Sequence, residues 1–169
     1  MPNEKISLRR GTEADAELLL EFIRALAEYE HLIVSSDAEI LRRDVFLDKR
    51  AEAVFAEIAG QPVGMALFFF TYSTFSGRKV IYLEDIFVKD AFRGQGIGKE
   101  LLCYVARLAV EQNCDRLDWA ALSWNKPAQD FYQKLGAVPL QGWDRYFLYG
   151  EALQKLAGCP TGSGNTTGH

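Results

Sequence analysis

Apolar residues recur at helical spacing along the first part of the chain and at strand spacing along its middle. Residues 5–9 (KISLR) alternate and predict a short strand. Thr12, with Asp15 three positions on, reads as a variant of the capping box that opens a helix. Along that helix Leu18, Leu19, Phe22, Ile23, Leu26 and Tyr29 form one apolar stripe. Ser36 followed by Glu39 predicts a second helix through about Phe46, with Ile40, Leu41 and Val45 inward. From Ala53 the period changes. Residues 53–59, 63–72 and 80–88 read as three strands joined by turns at Gly60-Gln61-Pro62 and Ser76-Gly77-Arg78, an antiparallel meander. Residues 97–112 follow as a helix with Leu101, Leu102, Val105, Leu108 and Ala109 on one face. A strand over 116–122 and a helix from Asn125 to Leu135 come next, with Pro127 in the helix's first turn and Gly136 at its C-cap. A last strand over 143–149 and a short helix over 151–157 complete the pattern. Strands and helices in this order predict an α/β fold, a mixed sheet with helices on both faces.

Composition narrows the possibilities. The chain has 169 residues, 49% hydrophobic and 25% charged, which suits one domain with a packed core. Residues 158–169 (GCPTGSGNTTGH) hold almost no large apolar side chain. The expectation is therefore a folded domain over 1–157 and a disordered tail over 158–169. A net charge of −4 argues against sequence-independent nucleic-acid binding, which needs a basic surface. No apolar run approaches the ~20 residues of a membrane span. The start MPNEKISLRR lacks a signal peptide's apolar stretch, so a soluble cytoplasmic protein without a membrane partner is expected. Two histidines, His31 and the terminal His169, exclude a multi-histidine metal site. Cys103, Cys114 and Cys159 are far apart and fit a reducing compartment.

Three places carry chemistry. Arg93-Gly94-Gln95-Gly96-Ile97-Gly98 lies between a strand and a helix. Glycines there permit a sharp turn, and the helix start offers unpaired N–H groups suited to a pyrophosphate. A Walker A loop fails because Gly98-Lys99 is followed by Glu100 and Arg93 stands where the first glycine belongs. A Rossmann fingerprint fails because Lys99 stands where its last glycine belongs. The pattern Arg/Gln-x-x-Gly-x-Gly/Ala is met by Arg93, Gly96 and Gly98; the plain alternative is an ordinary glycine-rich connection. Next, Glu84-Asp85 interrupts the apolar strand Val80 to Val88. Adjacent strand residues face opposite ways, so at least one carboxylate lines a cleft or is buried, where its pKa rises towards that of a useful base. The alternative is one solvated acid and one salt-bridged acid. Third, Asn125 and Tyr132 are seven residues apart and share a helix face, though Asn125 also fits a plain N-cap and Phe131-Tyr132 plain core aromatics. His31 sits at a helix C-terminus, the usual place of a dipole partner.

YLEDIFV, RGQGIG, WNKPAQDFY, LAEYE (residues 26–30) and the GEALQKLAG ending together resemble the GNAT superfamily of N-acetyltransferases, in its spermidine/spermine branch, which includes diamine and thialysine N-acetyltransferases. The resemblance covers about residues 5–157. It implies a mixed, mostly antiparallel sheet flanked by helices on both faces and splayed between its fourth and fifth strands, with acetyl-CoA as co-substrate in the opening and no metal. By match, the backbone of Ile86, Phe87 and Val88 binds pantetheine and thioester. The backbone of Arg93, Gly94, Gln95, Gly96, Ile97 and Gly98 cradles the pyrophosphate. The helix start Asn125, Lys126, Pro127 and Ala128 also contacts the cofactor. Tyr132 matches the general acid that protonates the CoA thiolate and also touches the cofactor. Glu84 matches a carboxylate that deprotonates the amine through water. Tyr29, Glu30, Glu84 and Asp85 match acceptor-binding positions. The implied partners are a small cationic amine and a second copy in a homodimer. Ser73 stands where polyamine-specific members carry an acid, and Val138-Pro139-Leu140-Gln141 lacks another before the Gly-Trp pair. Both departures favour a short diamine or lysine-like amine over spermine. A protein lysine or N-terminal acceptor, and an acyl-CoA-binding module without turnover, are the competing readings.

Overall fold

The computed structural model describes residues 5–158 and divides into two compact units, one running to Leu122 and one beginning at Ser123. The tail expected to be disordered lies, beyond Gly158, outside the described residues.

The first unit is a five-stranded sheet in the order β1 (Ile6–Arg10), β2 (Glu52–Ile58), β3 (Gln61–Ser73), β4 (Arg78–Val88), β5 (Leu117–Asp118). The first three pairings are antiparallel and the last is parallel. The meander read from the sequence is therefore present, tightened at Ala59-Gly60, where both residues have positive φ (50° and 78°) and Gln61 already pairs with Ile58. On one face lie α1 (Ala16–Glu30) and α2 (Ala38–Leu41), and on the other α3 (Ile97–Glu111).

The helix that follows β1 starts as expected. Thr12 and Asp15 form a capping box, the Thr12 N–H donating to Asp15 Oδ2 at 2.8 Å, with one 3-10 turn before α1 begins. The same carboxylate accepts from Arg9 at 2.8 Å, and Arg9 Nε donates to Glu57 at 2.6 Å. One guanidinium thus ties β1, the helix entry and β2 together while stacking on Phe55. Ala16, Leu19, Leu20 and Phe22 bury against Phe55, Met65, Leu67 and Phe87. The second predicted helix is differently capped and changes type along its length. Asp37, not Ser36, accepts from the Ile40 N–H at 2.8 Å. The helix passes at Arg42 into a π-helical turn through Leu47. Leu41 and Val45 point inward as expected, whereas Ile40 is turned outward.

α3 realises its stripe in full, with Leu101, Leu102, Val105, Leu108 and Ala109 buried, joined by Ile97. It lies very close to the sheet. A Cβ on Gly64 would stand 3.0 Å from the Phe87 carbonyl, 3.2 Å from Ile97 and 3.3 Å from Leu101.

Two predicted strands are not built as read. Of residues 116–122 only Leu117 and Asp118 pair, with Ile81 and Tyr82. The segment leaves β4 after that, and a strand exists only where a neighbour takes its backbone groups. Residues 143–149 have the alternation of a strand, but no strand is present among the described residues of the second unit. Trp143, Tyr146 and Tyr149 are correspondingly exposed. The second unit holds α4 (Lys126–Lys134) and α5 (Gly150–Ala157).

Gly64→Ala is expected to push α3 off the sheet and cost about 1–3 kcal/mol, as overpacking does. Urea unfolding measures this, and an unchanged midpoint would contradict the close approach.

Candidate active site

β4 carries the site on a half-finished edge. Its pairing with β5 ends at Tyr82↔Asp118, and among the described residues no strand pairs with the outer side of residues 83–88. The register decides which groups face that opening. The Lys89 N–H donates to the Val63 carbonyl at 2.9 Å. In an antiparallel ladder the bonded pairs alternate, so Phe87 turns its backbone groups to β3 while Ile86 and Val88 turn theirs to the open edge. Two amide units spaced along an unpaired edge suit an extended, amide-bearing ligand.

The chain then makes a 3-10 turn (Asp90–Phe92) and enters the glycine loop. Gly94 and Gly96 adopt φ of 78° and 84°, and a Cβ at either would meet nothing within 4 Å. The left-handed backbone, not space, calls for glycine there. Gly96 caps α3 without any side-chain bond, and the first helical bond runs from the Glu100 N–H to the Gly96 carbonyl at 3.0 Å. The amides of Ile97, Gly98 and Lys99 thus have no partner within the helix and point outward from the positive end of its dipole, a setting for a pyrophosphate. Gln95 lies back along the loop, its amide 3.5 Å from the Ala91 carbonyl.

Strand alternation is broken at the acidic pair. Phe68 faces Leu83 and Leu67 faces Asp85, which leaves Glu84 as the extra residue of a β-bulge. Bulges re-aim side chains, and Glu84 is exposed. Asp85 shares the face of Leu67 and Phe87, towards α1, and is half-buried. Burial, reinforced by the charges of Glu84 and Glu30, pushes its carboxyl up to about 6. Glu30, the last residue of α1, is also raised by burial. Among the described residues none of these three carboxylates has an ion-pair partner. His31 follows as the left-handed cap of α1, with φ 60°.

Arg93 spans this end of the sheet. Its Nε donates to the Val88 carbonyl at 3.0 Å and Nη2 meets Asp90 at 2.7 Å. Its guanidinium carbon lies 4.8 Å from the centre of the Tyr29 ring and 5.4 Å from that of Phe87. Sequence reasoning assigned Arg93 a backbone role only. No local signal marks where its side chain goes, because that depends on where α1 ends in space.

The first unit thus gathers Tyr29, Glu30, Glu84, Asp85, Ile86, Phe87, Val88 and the loop Arg93–Gly98. The remaining sequence-predicted residues belong to the second unit. Asn125 is buried and caps α4, its Oδ1 accepting from the Ala128 N–H at 3.3 Å. Lys126 and Pro127 form the first turn, Lys126 lying 3.7 Å from Asp130. Tyr132 is half-buried, its ring 5.3 Å from that of Phe131. Among the described residues no group of three or more His, Cys, Asp or Glu side chains could hold a metal, and no helix is long and apolar enough to cross a membrane.

A mixed sheet that opens beside its fourth strand, with a glycine loop and helix start at the opening, defines an acyl-CoA-type transferase fold. Residues 17–137 match the acetyltransferase (GNAT) family, and the chain belongs to that family. A thialysine N-epsilon-acetyltransferase from Bos taurus is 42% identical over 167 residues, covering 90% of this chain and 98% of that protein. A spermidine/spermine N(1)-acetyltransferase-like protein 1 from Homo sapiens is 31% identical, covering 89% of this chain and 23% of its own length. A solved integron cassette protein from the mobile metagenome of V. cholerae superimposes with a TM-score of 0.77 at 28% identity, covering 90% of this chain and 98% of that one.

Asp85 offers a test of the acidic cluster. Its carboxyl stands near 3.9 unfolded, to be compared with about 6 in the fold, so between those values the folded state binds more protons. Stability from this group therefore rises as pH falls from 7 towards 4. Asp85→Asn removes the cost of ionisation and is expected to stabilise the protein at pH 7 by about 1–3 kcal/mol while flattening that pH dependence. Equilibrium unfolding at pH 7 and pH 5 reads both effects. A variant less stable than wild type at pH 7 would show that the carboxylate is satisfied in the fold.

Proposed function

We propose that the chain transfers the acetyl group of acetyl-CoA to a primary amine of a small cationic molecule, a lysine-like amine such as thialysine or a short diamine. The observation that carries this reading is the set of three carboxylates without ion-pair partners among the described residues, Glu30, Glu84 and Asp85, beside the open edge of β4. A cationic amine supplies the counter-charge they lack. The thialysine N-epsilon-acetyltransferases among the relatives support the same acceptor class. So does the β3–β4 hairpin. Residues 71–79 carry no acid, and Ser73 pairs across from Arg78 and Tyr72 from Lys79. An end with two cations and no acid gives a long polycation nothing to bind.

The chemistry is direct transfer. An alkylammonium with pKa of about 10.4 must lose a proton, which at pH 7 costs about 4.6 kcal/mol. Glu84, turned out of the ladder by the bulge, is assigned the base that takes it through water. Asp85 and Glu30 hold the cationic amine, and Tyr29 lines the acceptor side. The amine nitrogen then attacks the acetyl carbonyl, a C–N bond forms, and the C–S bond to CoA breaks. The outward Val88 N–H suits the developing oxyanion. Ile86 and Val88 hold the pantetheine arm along the edge, and the Gly94–Gly98 backbone holds the pyrophosphate. Asn125 and the start of α4 are assigned to the cofactor, and Tyr132 to the proton returned to the thiolate, by their match to the family pattern.

Thiol release from acetyl-CoA with putrescine, spermidine, spermine, lysine, thialysine and a histone-like peptide tests the assignment. The highest kcat/KM is expected with thialysine or a short diamine. A much higher value for spermine or the peptide overturns the acceptor class, and CoA binding without release on any acceptor overturns the enzyme reading. Tyr132→Phe is expected to lower kcat about 100-fold with little change in acetyl-CoA binding. Wild-type turnover in that variant removes Tyr132 from its role.

A further inference from the structure

The loop that follows β4 grips α1 at two heights. Lys89 pairs with Glu21 at 3.0 Å and sits over the Phe22 ring. Two turns further along the helix, Arg93 lies over Tyr29. The first grip sits beside the packed core, where Phe22 meets Phe87 with ring centres 6.3 Å apart. The second stands between groups of different duty. Tyr29 and Glu30 end α1 on the acceptor side, and Val88, whose carbonyl Arg93 holds, ends the cofactor edge of β4.

We propose that the Arg93 side chain is a positioning residue that couples the acetyl-CoA site to the amine site. It rests on the reading above of β4 as cofactor edge and the end of α1 as acceptor side. The guanidinium keeps Tyr29, and with it Glu30, set against the strand that receives the thioester. It also occupies one of the four backbone groups that Ile86 and Val88 turn to the open edge. A pantetheine amide held at the Val88 carbonyl would share that two-lone-pair acceptor with the guanidinium and crowd it on its aromatic seat. Filling the cofactor edge therefore changes how the last turn of α1 is held. By linkage, the amine then changes the affinity for CoA by the same factor. Lys89 holds α1 independently, so loss of the Arg93 stack leaves the helix in place.

The test is a double-mutant cycle on kcat/KM for the amine, with CoA binding as a second readout. Arg93→Gln keeps a hydrogen-bond donor but loses the cation, and Tyr29→Leu loses the ring beneath it. Each single variant is expected to raise the amine KM about fivefold, the worth of a part-buried cation–π contact, while the acetyl-CoA KM moves less than about twofold. The double variant is expected to match the worse single rather than the product of the two. In wild type, thialysine or putrescine is expected to change the CoA dissociation constant measured by calorimetry, and in Arg93→Gln that change disappears. Additive effects, or a CoA affinity indifferent to amine in wild type, overturn the coupling and leave the site assignment standing. Wild-type protein that binds no CoA overturns the site assignment and the coupling with it.

Discussion

A β-strand left without a neighbour on one side must place its amides somewhere, and among the described residues β4 from Leu83 to Val88 is in that position on its outer side. The rest of the first unit reads as a way of tolerating that opening. The inner side of β4 is locked by a ladder to β3 from Gly64 to Ser73. Gly64 lets α3 come down on the sheet beside the open segment, so the start of α3 stands next to the gap instead of a side chain's width away. The glycine loop turns the chain from the strand end into that helix. One edge carbonyl is taken by Arg93. Backbone groups thus face the opening from a strand edge and from a helix start.

The electrostatics follow from the same geometry. The bulge that pairs Leu67 with Asp85 and Phe68 with Leu83 gives two successive acids different surroundings. Glu84 stays in solvent and Asp85 goes under the end of α1, where burial and two neighbouring charges raise it. In a purely structural site such a cluster would be relieved by an arginine or a lysine. Two cations at this end of β4 are paired with other acids, Lys89 with Glu21 and Arg93 with Asp90. Holding Asp85 half-buried among like charges costs stability.

What could be read from sequence was what depends on local period or on single-residue backbone demands. The α3 stripe, the Thr12–Asp15 cap, the meander and the glycine loop belong to this class, and they frame the candidate site in the first unit. What could not be read depends on a partner far along the chain. The bulge at Glu84 is a property of two strands in register. The reduction of 116–122 to Leu117–Asp118 and the lack of a strand at 143–149 turn on whether a neighbour offers its edge, which alternation alone does not disclose. Between Ser36 and Asp37 both residue types cap helices, and the choice fell to the one whose side chain reaches the Ile40 N–H.

The scarcity of histidine takes on a physical sense in this light. Histidine is the usual base because its pKa lies near neutrality, but a cationic acceptor makes a neutral base a poor host. A carboxylate in the same place carries the charge opposite to an ammonium as well as a site for a proton. Burial beside like charges moves such a carboxylate upward, as it does Asp85. Too much burial would protonate the cluster and forfeit the attraction. The bulge leaves one acid of the pair solvated and the other sheltered, a division that two equivalent acids on a regular strand would not have.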